Sequence, residues 1–238
     1  MATLVFLHGV GGGPWDRQVG YFTGQGHRCI AWAQPGYREA PMVDPYNLAN
    51  VTDALYRQLT EPAVLIGHSM GGFIAQELYA RYPARVKALV LSFTSAAFVG
   101  GSDFAKQFVA ARIGPLDAGK SMADLAAALM PALRGSKSDP EGLARAERAM
   151  AAVPQNTYRK AVHLLATFDR RAQLPNIKVP TLLVAGSEDK VAPPAIMEKM
   201  AKAIPQAQYV LLGGCGHLGP MDQPEAFNQA VESFLRKL

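Results

Sequence analysis

The stretch VLIGHSMGGFIAQEL, Val64 to Leu78, runs apolar through Ile66, meets Gly67-His68-Ser69-Met70-Gly71-Gly72, and resumes with helix-like spacing. A short apolar run ending in glycine reads as a core strand, and the spacing beyond it reads as a helix. Ser69 therefore stands at a strand-to-helix junction. A turn that sharp strains the serine backbone, and glycines two residues to either side let neighbouring segments approach without Cβ clashes. Such a turn lifts Oγ above the sheet edge and sets the next N–H at a helix N-terminus, where the dipole favours negative charge. Ser69 is the candidate nucleophile.

The same unit of apolar run, Gly- or Pro-bearing turn and amphipathic stretch recurs along the chain. TLVFLHG leads to a helix from about Trp15 to Thr23, and HRCIAWAQPG to NLANVTDALYRQL, whose Leu48, Val51, Leu55 and Leu59 share one face. The helix after Ser69 ends near Arg81-Tyr82, where Pro83 blocks its continuation. VKALVLS is a fourth strand; PTLLVAG and QYVLLGG follow much later, with helices at about Pro194 to Ala203 and Pro224 to Leu238. Continuous Val/Leu/Ile strands alternating with helices predict an α/β fold, a mostly parallel sheet with helices on both faces. Residues 1–92 and 177–238 form its core.

Residues 93–176 contain no convincing strand. Met122, Leu125, Ala126, Leu129, Met130 and Leu133 make one helical stripe, and Tyr158, Ala161, Val162, Leu165 and Phe168 another. A helical block between two core strands reads as a lid over the sheet edge where open α/β sheets bind ligands. Phe104, Phe108, Met122, Leu125, Leu129, Leu165 and Phe168 are candidates to line an apolar pocket beneath it, although packing on the sheet explains them equally well.

Composition narrows the function. The chain has 238 residues, 49% hydrophobic and 18% charged, enough apolar material for one substantial core. No apolar run approaches the roughly 18 residues a membrane span needs, and MATLVFLHG has no basic segment of a secretory leader. With Cys29 and Cys215 expected to be free thiols, a cytoplasmic protein with no membrane partner is the expectation. The segment from Phe93 to Lys178 holds 12 Lys/Arg against 7 Asp/Glu, and the remainder 12 of each, so the +5 net charge lies in the middle segment. These basic residues are dispersed and carry no nucleic-acid motif, which leaves a solvated helical surface or a mild field favouring anionic substrates.

A serine hydroxyl needs a base, and the base needs an orienting carboxylate. VAGSEDKVAPP sets Asp189 in the loop after one core strand, and LLGGCGHLGPMD sets His217 in the loop after the next, in the order serine, acid, histidine. Glu188 is adjacent, but the shorter Asp189 side chain fixes an imidazole more tightly. His27 and His163 are read as packing residues, and His68 should point away from Oγ. The glycines of His8-Gly9-Val10-Gly11-Gly12-Gly13-Pro14 do not fit a dinucleotide loop, because Pro14 falls on the third glycine position and Gln34 where a ribose-binding acid is expected. They fit an oxyanion hole, with the Val10 and Met70 N–H groups converging on a substrate carbonyl oxygen. The sequence offers no metal-ligand cluster, so neither metal nor cofactor is expected.

Together HG with its small-residue loop, GHSMGG, GSEDKVAP and GCGH resemble the α/β-hydrolase superfamily over most of the chain outside the lid. The resemblance implies Ser69 as nucleophile, His217 as general base and acid, Asp189 as its orienter, and Val10 and Met70 as oxyanion donors. Many members carry an N-terminal β-hairpin before the HG strand. This chain starts on that strand, so Arg28 to Ala33 should lie at a sheet edge. Plant methyl esterases and hydroxynitrile lyases share the short start, but the lyases have a lysine after the catalytic histidine where this chain has Leu218, here a candidate substrate contact. The expected activity is a serine hydrolase acting on a small to medium ester, lactone or related acyl compound. Alternatives are a C–C bond hydrolase of ring-cleavage products, a cofactor-free haloperoxidase, and a non-catalytic ligand-binding member. No motif sets the oligomeric state.

Overall fold

All five residues of strand β1 (Thr3–Leu7) are buried, as a strand covered on both faces requires. Leu4 and Phe6 join one apolar layer, while Val5 and Leu7 join the other. The computed structural model describes residues 1–98 and 101–238, those at 101, 102 and 104 by their backbone alone. After β1 come β2 (Arg28–Trp32), β3 (Ala63–His68), β4 (Val86–Ser92), β5 (Thr181–Gly186) and β6 (Gln208–Leu212). All pairings are parallel, in the order β2-β1-β3-β4-β5-β6. The second strand thus lies at an edge, as expected, with Arg28 and Ala31 exposed.

Helices α2 (Leu48–Tyr56), α3 (Met70–Arg81) and α8 (Pro194–Ala203) cover one face through Val51, Leu55, Ile74, Leu78, Met197 and Met200. Helices α1 (Asp16–Gly24) and α10 (Pro224–Leu235) cover the other through Phe22, Phe227, Val231 and Phe234. A short α9 (Gly219–Asp222) follows the loop after β6. Both cysteines are free, Cys215 buried and Cys29 partly so.

Four helices lie between β4 and β5: α4 (Gly101–Asp117), α5 (Met122–Leu133), α6 (Pro140–Ala151) and α7 (Gln155–Leu165). The first apolar stripe falls on α5 and the second on α7, except that α7 ends at Leu165 and Phe168 lies in the loop beyond it. Ser121 starts α5 with a capping box to Asp124, and Asp139 starts α6 by accepting from the Glu141 and Gly142 N–H groups. Helices α4 and α6 are not separately legible, because Pro115 interrupts the α4 pattern and α6 is rich in alanine and charge. The insertion's interior meets the core through Tyr37, Met70, Phe73, Leu218 and Met221, at the end of the sheet where the strands finish. Arg170 Nε, donating to the buried Glu77 carboxylate at 2.7 Å, ties the insertion's exit to α3.

His163 is exposed on α7, so it is not a packing residue; it lies on the solvent side of the helix whose Ala161 and Val162 are buried. His27 precedes β2 and meets the Phe22 ring edge-on at 6.1 Å.

Helix α3 packs so closely on the sheet that a Cβ on Gly71 would strike the Leu7 carbonyl, a backbone atom that cannot step aside. Gly71→Ala should therefore lower stability by about 1–3 kcal/mol, a drop in melting temperature of roughly 2–4 °C per kcal/mol. Gly20, exposed within α1 with nothing near its absent Cβ, should behave oppositely. Gly20→Ala is expected to raise stability by about 0.5–1 kcal/mol in the same denaturation experiment.

Candidate active site

Ser69 adopts φ 52° and ψ −116°, a conformation that L residues rarely take. Its backbone is over-determined on both sides. The Ser69 N–H donates to the Ser92 carbonyl at 3.0 Å, and the Ser69 carbonyl accepts from Thr94 Oγ1 at 2.8 Å and the Gly72 N–H at 2.9 Å. A Cβ on Gly67 would stand 2.5 Å from the Gly71 carbonyl oxygen, so the turn closes only with glycine there.

The loops after β5 and β6 bring Asp189 and His217 to this turn. His217 Nε2 lies 3.0 Å from Ser69 Oγ, and His217 Nδ1 lies 2.8 Å from Asp189 Oδ2. With Nδ1 protonated toward the carboxylate, Nε2 is left to accept the serine proton. The other Asp189 oxygen accepts the Val191 and Ala192 N–H groups at 2.7 and 3.0 Å. Burial opposes ionisation of Asp189, but the charge and hydrogen bond of His217 and those two N–H groups outweigh it, holding the carboxyl below its ordinary value. Glu188 points elsewhere, accepting the Ser136 N–H at 2.8 Å.

His68 does not reach Oγ. Its Nε2 donates to the His217 carbonyl at 2.8 Å, a support for the histidine loop that the motif alone did not reveal. Burial, then the neighbouring His217, pushes its pKa down to about 3. His8 is likewise held neutral, pushed to about 4 mainly by burial, with Nδ1 donating to the Gly9 carbonyl. Gln34, where a dinucleotide loop would need its acid, donates its Nε2 to the His8 carbonyl, and Tyr37 donates to the Val10 carbonyl at 2.8 Å. These bonds shape the loop that carries Val10. Neither the Val10 nor the Met70 N–H has a hydrogen-bond acceptor among the described residues. Met70 opens α3, where such donors are expected.

Two cavities meet at Ser69 and His217. One, of about 90 Å³, is walled by the Gly9–Gly13 loop and by Met130, Leu133, Met150 and Tyr158; the other, of about 410 Å³, by Phe73, Phe98, Lys190 and Ile196 among others. Of the candidate pocket residues, Phe108 and Leu165 line both cavities and Leu218 the smaller. Met122, Leu125 and Leu129 line neither, although Met130 and Leu133 of the same stripe line the smaller; all five pack in one apolar cluster of the insertion. Phe168 also lines neither; it stacks on Phe73 at 3.9 Å, one layer behind the wall. The Phe104 side chain lies outside the described residues. Arg112 lines both cavities and Tyr158 the smaller; Arg112 carries no motif, and Tyr158 belongs to an apolar helical stripe, so neither is legible as a site residue from sequence.

A model of the alpha/beta hydrolase family matches residues 4–230. The chain is 31% identical over 250 residues to a pimeloyl-[acyl-carrier protein] methyl ester esterase of Aromatoleum aromaticum, covering 98% of each chain. It is 30% identical over 220 residues to polyketide synthase ThaQ of Burkholderia thailandensis, of whose length it spans 10%. A thermophilic esterase from Thermogutta terrifontis, solved with malate bound, has a TM-score of 0.88 at 27% identity, covering 100% of this chain and 90% of that one.

The positive φ at Ser69 gives a direct test of strain. Both Ser69→Ala and Ser69→Gly remove the hydroxyl, but only glycine adopts this conformation freely. Strain relief, less the larger unfolded-state entropy of glycine, should make Ser69→Gly the more stable by about 1 kcal/mol in chemical denaturation.

Proposed function

The chain belongs to the alpha/beta hydrolase family and is a hydrolase; we propose that it cleaves a small to medium ester, lactone or related acyl compound through an acyl-enzyme. The observation that carries this reading is the unbroken hydrogen-bond series from Asp189 through His217 to Ser69, at 2.8 and 3.0 Å. The esterases among its relatives support an ester as the scissile bond.

In this mechanism His217 Nε2 takes the Ser69 proton as Oγ attacks the substrate carbonyl carbon. Asp189 stabilises the imidazolium that results. The negative charge on the carbonyl oxygen meets the N–H groups of Val10 and Met70, whose freedom from internal acceptors suits them to the task. Collapse of the tetrahedral intermediate expels an alcohol, or opens a lactone ring, and His217 returns the proton to the leaving oxygen. Water, deprotonated by the same imidazole, then releases the acid and restores Ser69. The helical insertion acts as a lid that keeps bulk water from these charges. The free thiols Cys29 and Cys215 support a cytoplasmic setting.

Replacing Ser69 with alanine should lower kcat/KM for p-nitrophenyl butyrate by at least about 10³-fold. The variant should keep its circular dichroism and lose labelling by a fluorophosphonate probe. Undiminished turnover in a folded Ser69→Ala protein sinks the proposal.

A further inference from the structure

Among the described residues, the cavities hold two cationic groups outside any close ion pair. Arg112, on α4, lines both, and Lys190 lines the larger; neither wall includes an Asp or Glu. Among the described residues neither cation takes part in an ion pair. The Arg112 guanidinium lies over the Phe108 ring at 5.2 Å, which fixes its direction without neutralising it.

Tyr158, on α7, stands beside Arg112 in the smaller cavity. Its side chain is fully buried and its hydroxyl proton has no acceptor; the polar group beside the oxygen is the Arg112 guanidinium, itself a donor only. Several other buried polar atoms are also unpartnered, but of those residues only Tyr158 lines a cavity at Ser69. Burial pushes the phenol up, and the neighbouring Arg112 guanidinium counters that shift, so the two groups are close electrostatic neighbours. A buried donor without an acceptor is destabilising, and beside an unpaired guanidinium it forms a site that wants an anion.

We propose that Arg112 and Tyr158 anchor a carboxylate carried by the substrate, so that the preferred substrates are half-esters of dicarboxylic acids or lactones bearing a free carboxylate. The proposal rests on the serine-hydrolase reading above. A guanidinium fork and one phenol O–H satisfy the two oxygens of a carboxylate. A phosphoryl group would need further donors, and the nearby hydroxyls of Thr94 and Ser95 already donate to the Ser69 and Ala97 carbonyls. Lys190, exposed at the larger cavity, and the basic middle segment add a field that draws such an anion in.

The test compares p-nitrophenyl hydrogen glutarate with p-nitrophenyl valerate, of equal chain length but without the charge. The wild-type protein should favour the half-ester in kcat/KM. Arg112→Met should lower that selectivity ratio about 10- to 100-fold and Tyr158→Phe about 3- to 10-fold, chiefly through KM. A ratio unchanged in Arg112→Met overturns the anchor, whereas a wild-type protein that hydrolyses neither ester and escapes fluorophosphonate labelling overturns the hydrolase reading itself. Binding is also measured apart from turnover. Glutarate should raise the melting temperature of Ser69→Ala protein and leave that of Ser69→Ala/Arg112→Met protein unmoved. No shift in the single variant, or an equal shift in both, overturns the proposal.

Discussion

The site depends on one backbone contact, between the first turn of α3 and the ends of β1 and β3. Gly71 lies against the Leu7 carbonyl, Gly67 against the backbone of Gly71 and Gly72, and Gly72 against Thr94. Side chains at these positions would hold the helix off the sheet. With the helix seated, the chain leaves β3 and enters α3 within one residue, and Ser69 takes the strained φ of 52°. The direction of Oγ and the exposure of the Met70 N–H follow from that seating. The strain is retained because hydrogen bonds to Ser92, Thr94 and Gly72 leave the turn no alternative path.

A second constraint is electrostatic. The His68 and His217 ring centroids are 5.3 Å apart, and a charged His68 would oppose the imidazolium that the proposed mechanism forms at His217. Burial removes the conflict by pushing His68 to about 3 and His8 to about 4, so both remain hydrogen-bonding spacers. The same burial makes the fold acid-sensitive. Unfolded histidines bind protons below their ordinary value of 6.5 while these two do not, so the unfolded state holds more protons and stability declines as pH falls from there toward 4. Asp189 acts in the same direction at lower pH: its depressed carboxyl contributes stability above the ordinary carboxylate range, lost as the folded group protonates.

The sheet was legible because each strand is a largely apolar run and every one but β4 has a glycine or proline soon after it. Ser69, Asp189 and His217 were legible because each follows such a run in one of the loops that open at the same edge. Groups acting through long-range hydrogen bonds were not. Gln34 read only as a missing acid, yet it holds the His8 carbonyl; His68 read only as a flank of the serine, yet it holds the His217 carbonyl 149 positions away. Nor did periodicity separate cavity walls from interior on the insertion. The α5 stripe is apolar throughout, yet Met130 and Leu133 line the smaller cavity while Met122, Leu125 and Leu129 do not.

The insertion is tied to the histidine it covers, and this limits how the site can change. The His217 N–H donates to the Leu133 carbonyl at 2.8 Å at the end of α5, and the Lys137 N–H donates to the Gly214 carbonyl at 2.9 Å. Gly216 and Gly135 allow the two backbones to touch. Movement of the α5–α6 connection would therefore carry His217 with it and disturb its 3.0 Å approach to Ser69. Helix α4 makes no such bond to the histidine loop among the described residues, yet it contributes Phe108 and Arg112 to both cavities. Reshaping α4 changes what the cavities accept while leaving the supports of His217 in place. Substrate choice can thus diverge on α4 within a fixed frame, whereas the α5–α6 corner is held by the geometry of the proposed reacting groups.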